Sequence, residues 1–319
     1  MRALLVSSHE SADFTEGWTV PPPGPEEIRV KVSACGLNFA DLLMIKGTYQ
    51  DTPPLPFVPG LEVAGTILSV GDEVQGFALG DRVSAYCGAG GLAEEVNVHA
   101  SRCRTVPENM SDEVAAGFQI AYGTSHLALT RRARLQAHET LVVLGAAGGV
   151  GLTAVEIGKA LGARVIGVAR GAEKLNIARA AGADETLDAG TDDLRGALKA
   201  LGGADVIYDA VGGGLGEAAL RSLRPEGRFL AIGFASGTVP KPKLNHLLVK
   251  NIDVIGFYWG GYLSFAPQAL NDSLAELMAW HRDGRISPHI SHKLPFDQAL
   301  EALDLLKTRQ ATGKVVVTL

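Results

Sequence analysis

The run Leu141-Val142-Val143-Leu144-Gly145-Ala146-Ala147-Gly148-Gly149-Val150-Gly151 decides how the rest of the chain is read. Its apolar, partly β-branched start predicts a buried strand, its glycines a tight turn, and the amphipathic spacing through about residue 161 a helix. A strand passing through such a turn into a helix opens a dinucleotide-binding βαβ unit. The fingerprint GxGxxG reads AxGxxG here, from Ala146 to Gly151, so its first glycine is replaced. Gly148 lets backbone approach a pyrophosphate, Gly151 lets the helix sit close to the sheet, and the helix N-terminus attracts negative charge. Ala147, Gly148, Gly149 and Val150 are the candidate phosphate contacts. Taken alone, the pattern is also that of any glycine-rich strand-to-helix turn, so its surroundings decide.

Downstream, apolar runs at 164–168, 205–208, 228–232 and 253–257 alternate with helix-like stretches at 172–181, 215–223 and 244–250. That rhythm predicts a doubly wound parallel sheet. The second run ends at Ala169, where an NAD site carries Asp or Glu for the adenosine ribose. Here Arg170 and Lys174 follow instead. Arg170 offers a planar fork to a 2′-phosphate and Lys174 a point charge, so the end of this strand predicts NADPH rather than NADH.

Upstream, from about residue 27 to 106, short β-branched runs at 28–32, 62–70 and 81–85 are separated by Gly and Pro turns, which predicts a compact β domain. Helical spacing begins near Ser111, and the junction is placed at 118. The expected division is 1–118, then 119–257 for the nucleotide domain, then 258–319. The last piece is too short to fold alone and is read as a return to the first domain.

A length of 319 residues fits two ordinary domains. A net charge of -6 supplies no basic face for sequence-independent binding to nucleic acid. Cys35, Cys87 and Cys103 are too scattered for a disulfide framework or a metal pair, which points to a reducing, cytoplasmic setting. The uncharged stretch 140–155 is short and broken by glycines, and no secretion signal opens the chain, so a soluble protein with no membrane span is expected.

Five elements now carry a family resemblance running from Ala34 to Lys314: Gly36 to Asp41 (GLNFAD), Pro59 to Gly65 (PGLEVAG), AAGGVG, Tyr208 to Gly212 (YDAVG) and Gly313 to Val317 (GKVVV). The chain resembles the zinc-free quinone oxidoreductase, or zeta-crystallin-like, branch of the medium-chain dehydrogenase/reductase superfamily. The resemblance implies an α/β protein with a β-rich GroES-like catalytic domain, a Rossmann domain, and an active site in the cleft between them. Zinc-dependent relatives place Cys and His where this chain has Asn38 and Leu61, neither a credible zinc ligand. The cysteine cluster of the family's structural zinc lobe is also missing, so no metal is expected.

The resemblance further implies that Asn38 and Tyr49 lie beside the nicotinamide. Thr124, Phe234, Ser236, Phe257, Tyr258, Trp259 and Lys314 match positions lining the cofactor site. Tyr49 either donates to a substrate carbonyl or packs as a loop aromatic by Pro53 and Pro54, and Asp41 is read mainly as a backbone fixer. The chain departs from the family at Leu43 and near Ala189, where tyrosines are expected. Reduction of quinones or α,β-unsaturated ketones by NADPH is the expected activity, in a homodimer paired along the apolar edge strand 253–257. The rivals are an enoyl-thioester reductase using Arg131, Arg132 and Arg134 at its entrance, and a non-catalytic NADPH-binding protein.

Overall fold

The computed structural model describes residues 1–9 and 11–319, which form two compact units. The first comprises Met1–Ile120 with Pro288–Leu319, and the second Ala121–Ser287.

In the first unit, alternation in EIRVKVSACGL makes Glu27–Leu37 its longest strand. This strand changes partners along its length. Its first half pairs antiparallel with Glu95–His99, its last four residues pair with Lys314–Thr318, and Glu62–Val70 runs along its other edge. Arg82–Tyr86 and Cys103–Thr105 extend the sheet beyond Glu62–Val70, and Ile290–Pro295 lies outside Lys314–Thr318. Register shifts near Arg29 and Val32 let one strand serve these partners. The core gathers Ile28, Val30, Val63, Val83, Val96, Val315 and Val317.

The second unit is a six-stranded, fully parallel sheet in the order Glu185–Asp188, Arg164–Ala169, Thr140–Leu144, Ala204–Asp209, Leu223–Ala231, Asp253–Gly256. Chain order reverses between Thr140–Leu144 and Ala204–Asp209, the switch point at which such sheets bind ligands. Glu185–Asp188 has no counterpart among the strands read from sequence, because its four residues, ETLD, are only partly buried or exposed and show no apolar run.

The return to the first unit, expected from residue 258, comes at Pro288 instead. The physical reason is the helix Pro267–Arg282, which buries Leu270, Leu274, Leu277 and Trp280 within the second unit. Its Ser273 Oγ lies 2.8 Å from His126 Nδ1, and the His126 ring meets Trp280 edge-on at 5.2 Å. Among the described residues, no helix is long and apolar enough to cross a membrane.

Candidate active site

The glycine turn sits at the carboxyl end of Thr140–Leu144. Gly145 takes φ +73, and its N–H and that of Ala146 both donate to Val168 O, at 2.9 and 3.0 Å. Gly145 therefore makes the tight turn that the fingerprint assigns to its first glycine, one residue ahead of Ala146. A Cβ on Gly151 would stand 2.0 Å from Gly145 O, so this position admits only glycine. A Cβ on Gly148 would meet only Gly145 O, at 3.3 Å, so Gly148 is open on its other sides. Helix Gly149–Ala160 starts here with no side-chain cap, leaving its first-turn N–H groups directed out of the N-terminus as an anion cradle. From beneath, Ser125 Oγ and Thr153 Oγ1 hold Val150 O at 2.9 and 3.0 Å, and Ser125 Oγ lies 2.9 Å from Tyr208 OH.

Arg170 is exposed just beyond the next strand, and Lys174 lies in the first turn of helix Ala172–Ala180. The strand Glu185–Asp188 brings a residue that the sequence did not single out. Asp188 is in register with Ala169, so a carboxylate reaches this end of the sheet from the neighbouring strand. It accepts N–H bonds from Gly190 at 2.7 Å and Gly171 at 3.0 Å, and these hold it below the usual carboxylate range, with Arg170 adding to the effect.

Of the remaining expected residues in this unit, Phe234 and Ser236 run beside the glycines of Val211–Gly213. Ser236 N donates to Val211 O at 2.8 Å, and a Cβ on Gly212 would touch the Phe234 ring at 3.1 Å. Thr124 is buried. The three aromatics behave differently from one another. Phe257 is buried against Tyr262 with ring centroids 5.5 Å apart, and Trp259 is buried where a Cβ on Gly123 would strike its indole nitrogen, while Tyr258 is exposed.

In the first unit a closed polar network forms around Asn38. Lys314 Nζ donates to Leu37 O, Asn38 Oδ1 and Glu62 Oε1, each at 2.8 Å. Asn38 Nδ2 donates to Glu62 Oε1 at 3.0 Å and Gly36 O at 3.2 Å, and Glu62 Oε2 accepts from Ile120 N at 3.0 Å. Glycines make the room: a Cβ on Gly36 would lie 2.2 Å from Ala116 O, and one on Gly117 would press on the Lys314 stem. Lys314, expected at the cofactor, thus uses its three N–H donors inside the protein. Glu62, for which the PGLEVAG pattern alone predicts no role, is fully buried at the network's centre.

Asp41 is a backbone fixer. Its two oxygens accept Asn38 N at 2.7 Å and Gly60 N at 3.0 Å, tying the two motif loops together. Burial pushes its carboxyl up to about 6 despite those bonds. Tyr49 heads a turn in which Thr52 N and Oγ1 donate to its carbonyl at 3.2 and 2.7 Å. Tyr86, missed in the sequence, is its phenolic neighbour. Burial raises the Tyr86 hydroxyl's pKa, and the nearby Tyr49 adds to the rise. Among the described residues no group of three or more His, Cys, Asp or Glu is arranged to hold a metal.

A family model described as alcohol dehydrogenase GroES-like domain matches residues 24–122, and one described as zinc-binding dehydrogenase matches 149–279. Quinone oxidoreductase-like protein 2 homolog of Nematostella vectensis is 39% identical over 92% of this chain and 82% of its own length. Quinone oxidoreductase of Thermus thermophilus, solved alone and with NADPH, is 33% identical with a TM-score of 0.88 over the whole of both chains. The Escherichia coli quinone oxidoreductase complexed with NADPH is 30% identical with a TM-score of 0.90, covering 100% of this chain and 99% of that one.

Proposed function

The chain belongs to the quinone oxidoreductase branch of the medium-chain dehydrogenase/reductase superfamily, and on that premise we propose that it reduces quinones or α,β-unsaturated carbonyls with NADPH and without zinc. The observation that carries the cofactor is the turn at Gly145–Gly151, an uncapped helix N-terminus beside an open Gly148, with Arg170 and Lys174 at the end of the next strand. Ala147, Gly148, Gly149 and Val150 would hold the pyrophosphate, Arg170 and Lys174 the 2′-phosphate, and Phe234 and Ser236 would flank it from the Gly212 side. When bound, NADPH supplies the hydride.

The chain's own contribution is orientation and hydrogen bonding. Asn38 and Tyr49 are the proposed catalytic residues, Tyr49 donating to the oxygen that gains charge and Asn38 orienting the ligand. Leu43 offers no hydroxyl, so solvent provides the remaining proton. The proposal of zinc independence is supported by the donor set: Leu61 is apolar and buried, and the Lys314 ammonium stands 2.8 Å from both Asn38 and Glu62, where its charge repels a divalent cation. The purified chain is expected to oxidise NADPH in the presence of a benzoquinone or an enone, and to do so unchanged after exhaustive chelation. Activity confined to a short enoyl-CoA, or lost with the metal, overturns this reading.

The proposed assembly is a homodimer in the cytoplasm. Asp253–Gly256 is a sheet edge, and the helix before it, Leu244–Lys250, buries no residue and leaves Leu244, Leu248 and Val249 more than three-quarters exposed. Light scattering at twice the chain mass is expected, and a monomer across the working concentration range removes the proposal.

A further inference from the structure

Glu62 and Lys314 form a buried ion pair that the proposed reaction does not use, and the valences around it are countable. A carboxamide has two N–H donors and two acceptor lone pairs, and an ammonium has three donors. Both donors of Asn38 are taken, by Glu62 Oε1 and Gly36 O, and one acceptor direction is taken by Lys314 Nζ. All three donors of Lys314 are taken too. Flipping the amide would turn its NH2 toward the ammonium and its oxygen toward the Glu62 carboxylate, two repulsions in a buried place. Asn38 is only half-buried, and although its capping box faces Oδ1 toward the Asp41 N–H, that N–H donates to Asn38 O at 3.0 Å and closes no hydrogen bond to the side chain, so the second lone pair of Oδ1 is its one open valence.

We infer that Lys314 and Glu62 are a positioning couple that holds Asn38 toward its ligand as a hydrogen-bond acceptor only. Asn38 then takes a hydroxyl or amide N–H of the ligand and does not donate to the carbonyl being reduced, which leaves that task to Tyr49. Which molecule supplies the N–H or O–H rests on the proposed NADPH reaction, whereas the fixed amide does not.

The test replaces the couple as a unit. Glu62→Gln with Lys314→Met removes both charges together and leaves no buried ion alone, so the double variant is expected to fold. It loses the lock, and kcat/KM is expected to drop on the order of tenfold, the worth of about one hydrogen bond. Asn38→Ala should cost a similar factor, and adding it to the double variant should cost nothing more. Multiplying losses, or a double variant with wild-type kcat/KM, overturns the inference.

Two further readouts keep it separable from the reaction. Should the wild type bind NADPH but reduce no acceptor, the proposed reaction falls, and the same cycle read in the NADPH dissociation constant still decides the positioning. Independently of any ligand, the Asn38 side-chain amide protons, identified by their loss in Asn38→Ala, should resist solvent exchange in the wild type and exchange readily in the double variant. Equal exchange in both defeats the lock. Asn38→Asp gives a pH signature: its second oxygen faces Glu62, the two carboxyls share one proton, and activity should fall as pH rises along a limb absent from the wild type. A flat profile removes the contact on which the inference stands.

Discussion

Two charged regions of this protein follow opposite rules. Around Asn38 in the first unit, Lys314 and Glu62 are buried, and the hydrogen-bonding groups of Asn38 and Lys314 are all matched except one acceptor position. At the end of Arg164–Ala169 in the second, Arg170 and Asp188 are exposed and water completes their solvation. A buried charge deprived of its partner has nowhere to go, whereas an exposed one is rescued by solvent. The first region therefore acts as a single all-or-none object, and the second as a set of graded, salt-sensitive contacts. Positioning belongs to the former and cofactor choice to the latter.

The sharpest way to break this contrast is Lys314→Met by itself. It strands the Glu62 carboxylate, with a cost of about 3–5 kcal/mol expected in urea unfolding. Adding Glu62→Gln should recover most of that loss. A single variant as stable as the wild type would show that water reaches Glu62 and that the two regions are alike after all.

Asp41 supplies the next largest effect, and its sign is set by burial. Its carboxyl is raised from 3.8 to about 6 in the folded chain, so the folded state holds the proton more tightly than the unfolded one. The stability from this group is fully present below pH 3.8 and is lost as pH rises through about 6, amounting to about 3 kcal/mol. Urea midpoints across that window in the wild type and in Asp41→Asn should differ in slope, with the variant flatter. Parallel curves would mean that the bonds from Asn38 and Gly60 cancel the effect of burial.

The same contrast explains what could be read in advance. The parallel sheet was legible because its central strands are continuous apolar runs, and the phosphate turn because no residue with a Cβ survives a 2.0 Å approach to backbone, as at Gly151. The strand Glu185–Asp188 was illegible because its four residues carry no apolar pattern, and Asp188 with it. The place where the chain returns to the first unit was misread because Pro267–Arg282 is amphipathic, and amphipathicity says that a helix buries a face without saying against what. Asn38 was marked by family resemblance, but its partners are 24 and 276 residues away, a closeness created only by Glu62–Val70 and Lys314–Thr318 flanking Glu27–Leu37. Register, which no local pattern encodes at that range, assembled the network.

The smallest effects are expected at the exposed region, and their smallness is itself the test. Arg170→Ala should weaken NADPH roughly fivefold, leave NADH untouched and leave the melting temperature in place, as expected of a solvated charge contact. The difference should shrink as salt is raised past about 0.15 M, where screening reaches over about 8 Å. Asp188→Asn works in the opposite direction, because it removes a negative charge that stands in register with Ala169 where a 2′-phosphate would arrive. The preference for NADPH over NADH should therefore rise severalfold, read as the ratio of the two kcat/KM values. If both variants change the two cofactors equally, the loop does not read the 2′-phosphate. If instead either one unfolds the chain, the exposed region is as closed as the buried one, and the division of labour drawn between them fails.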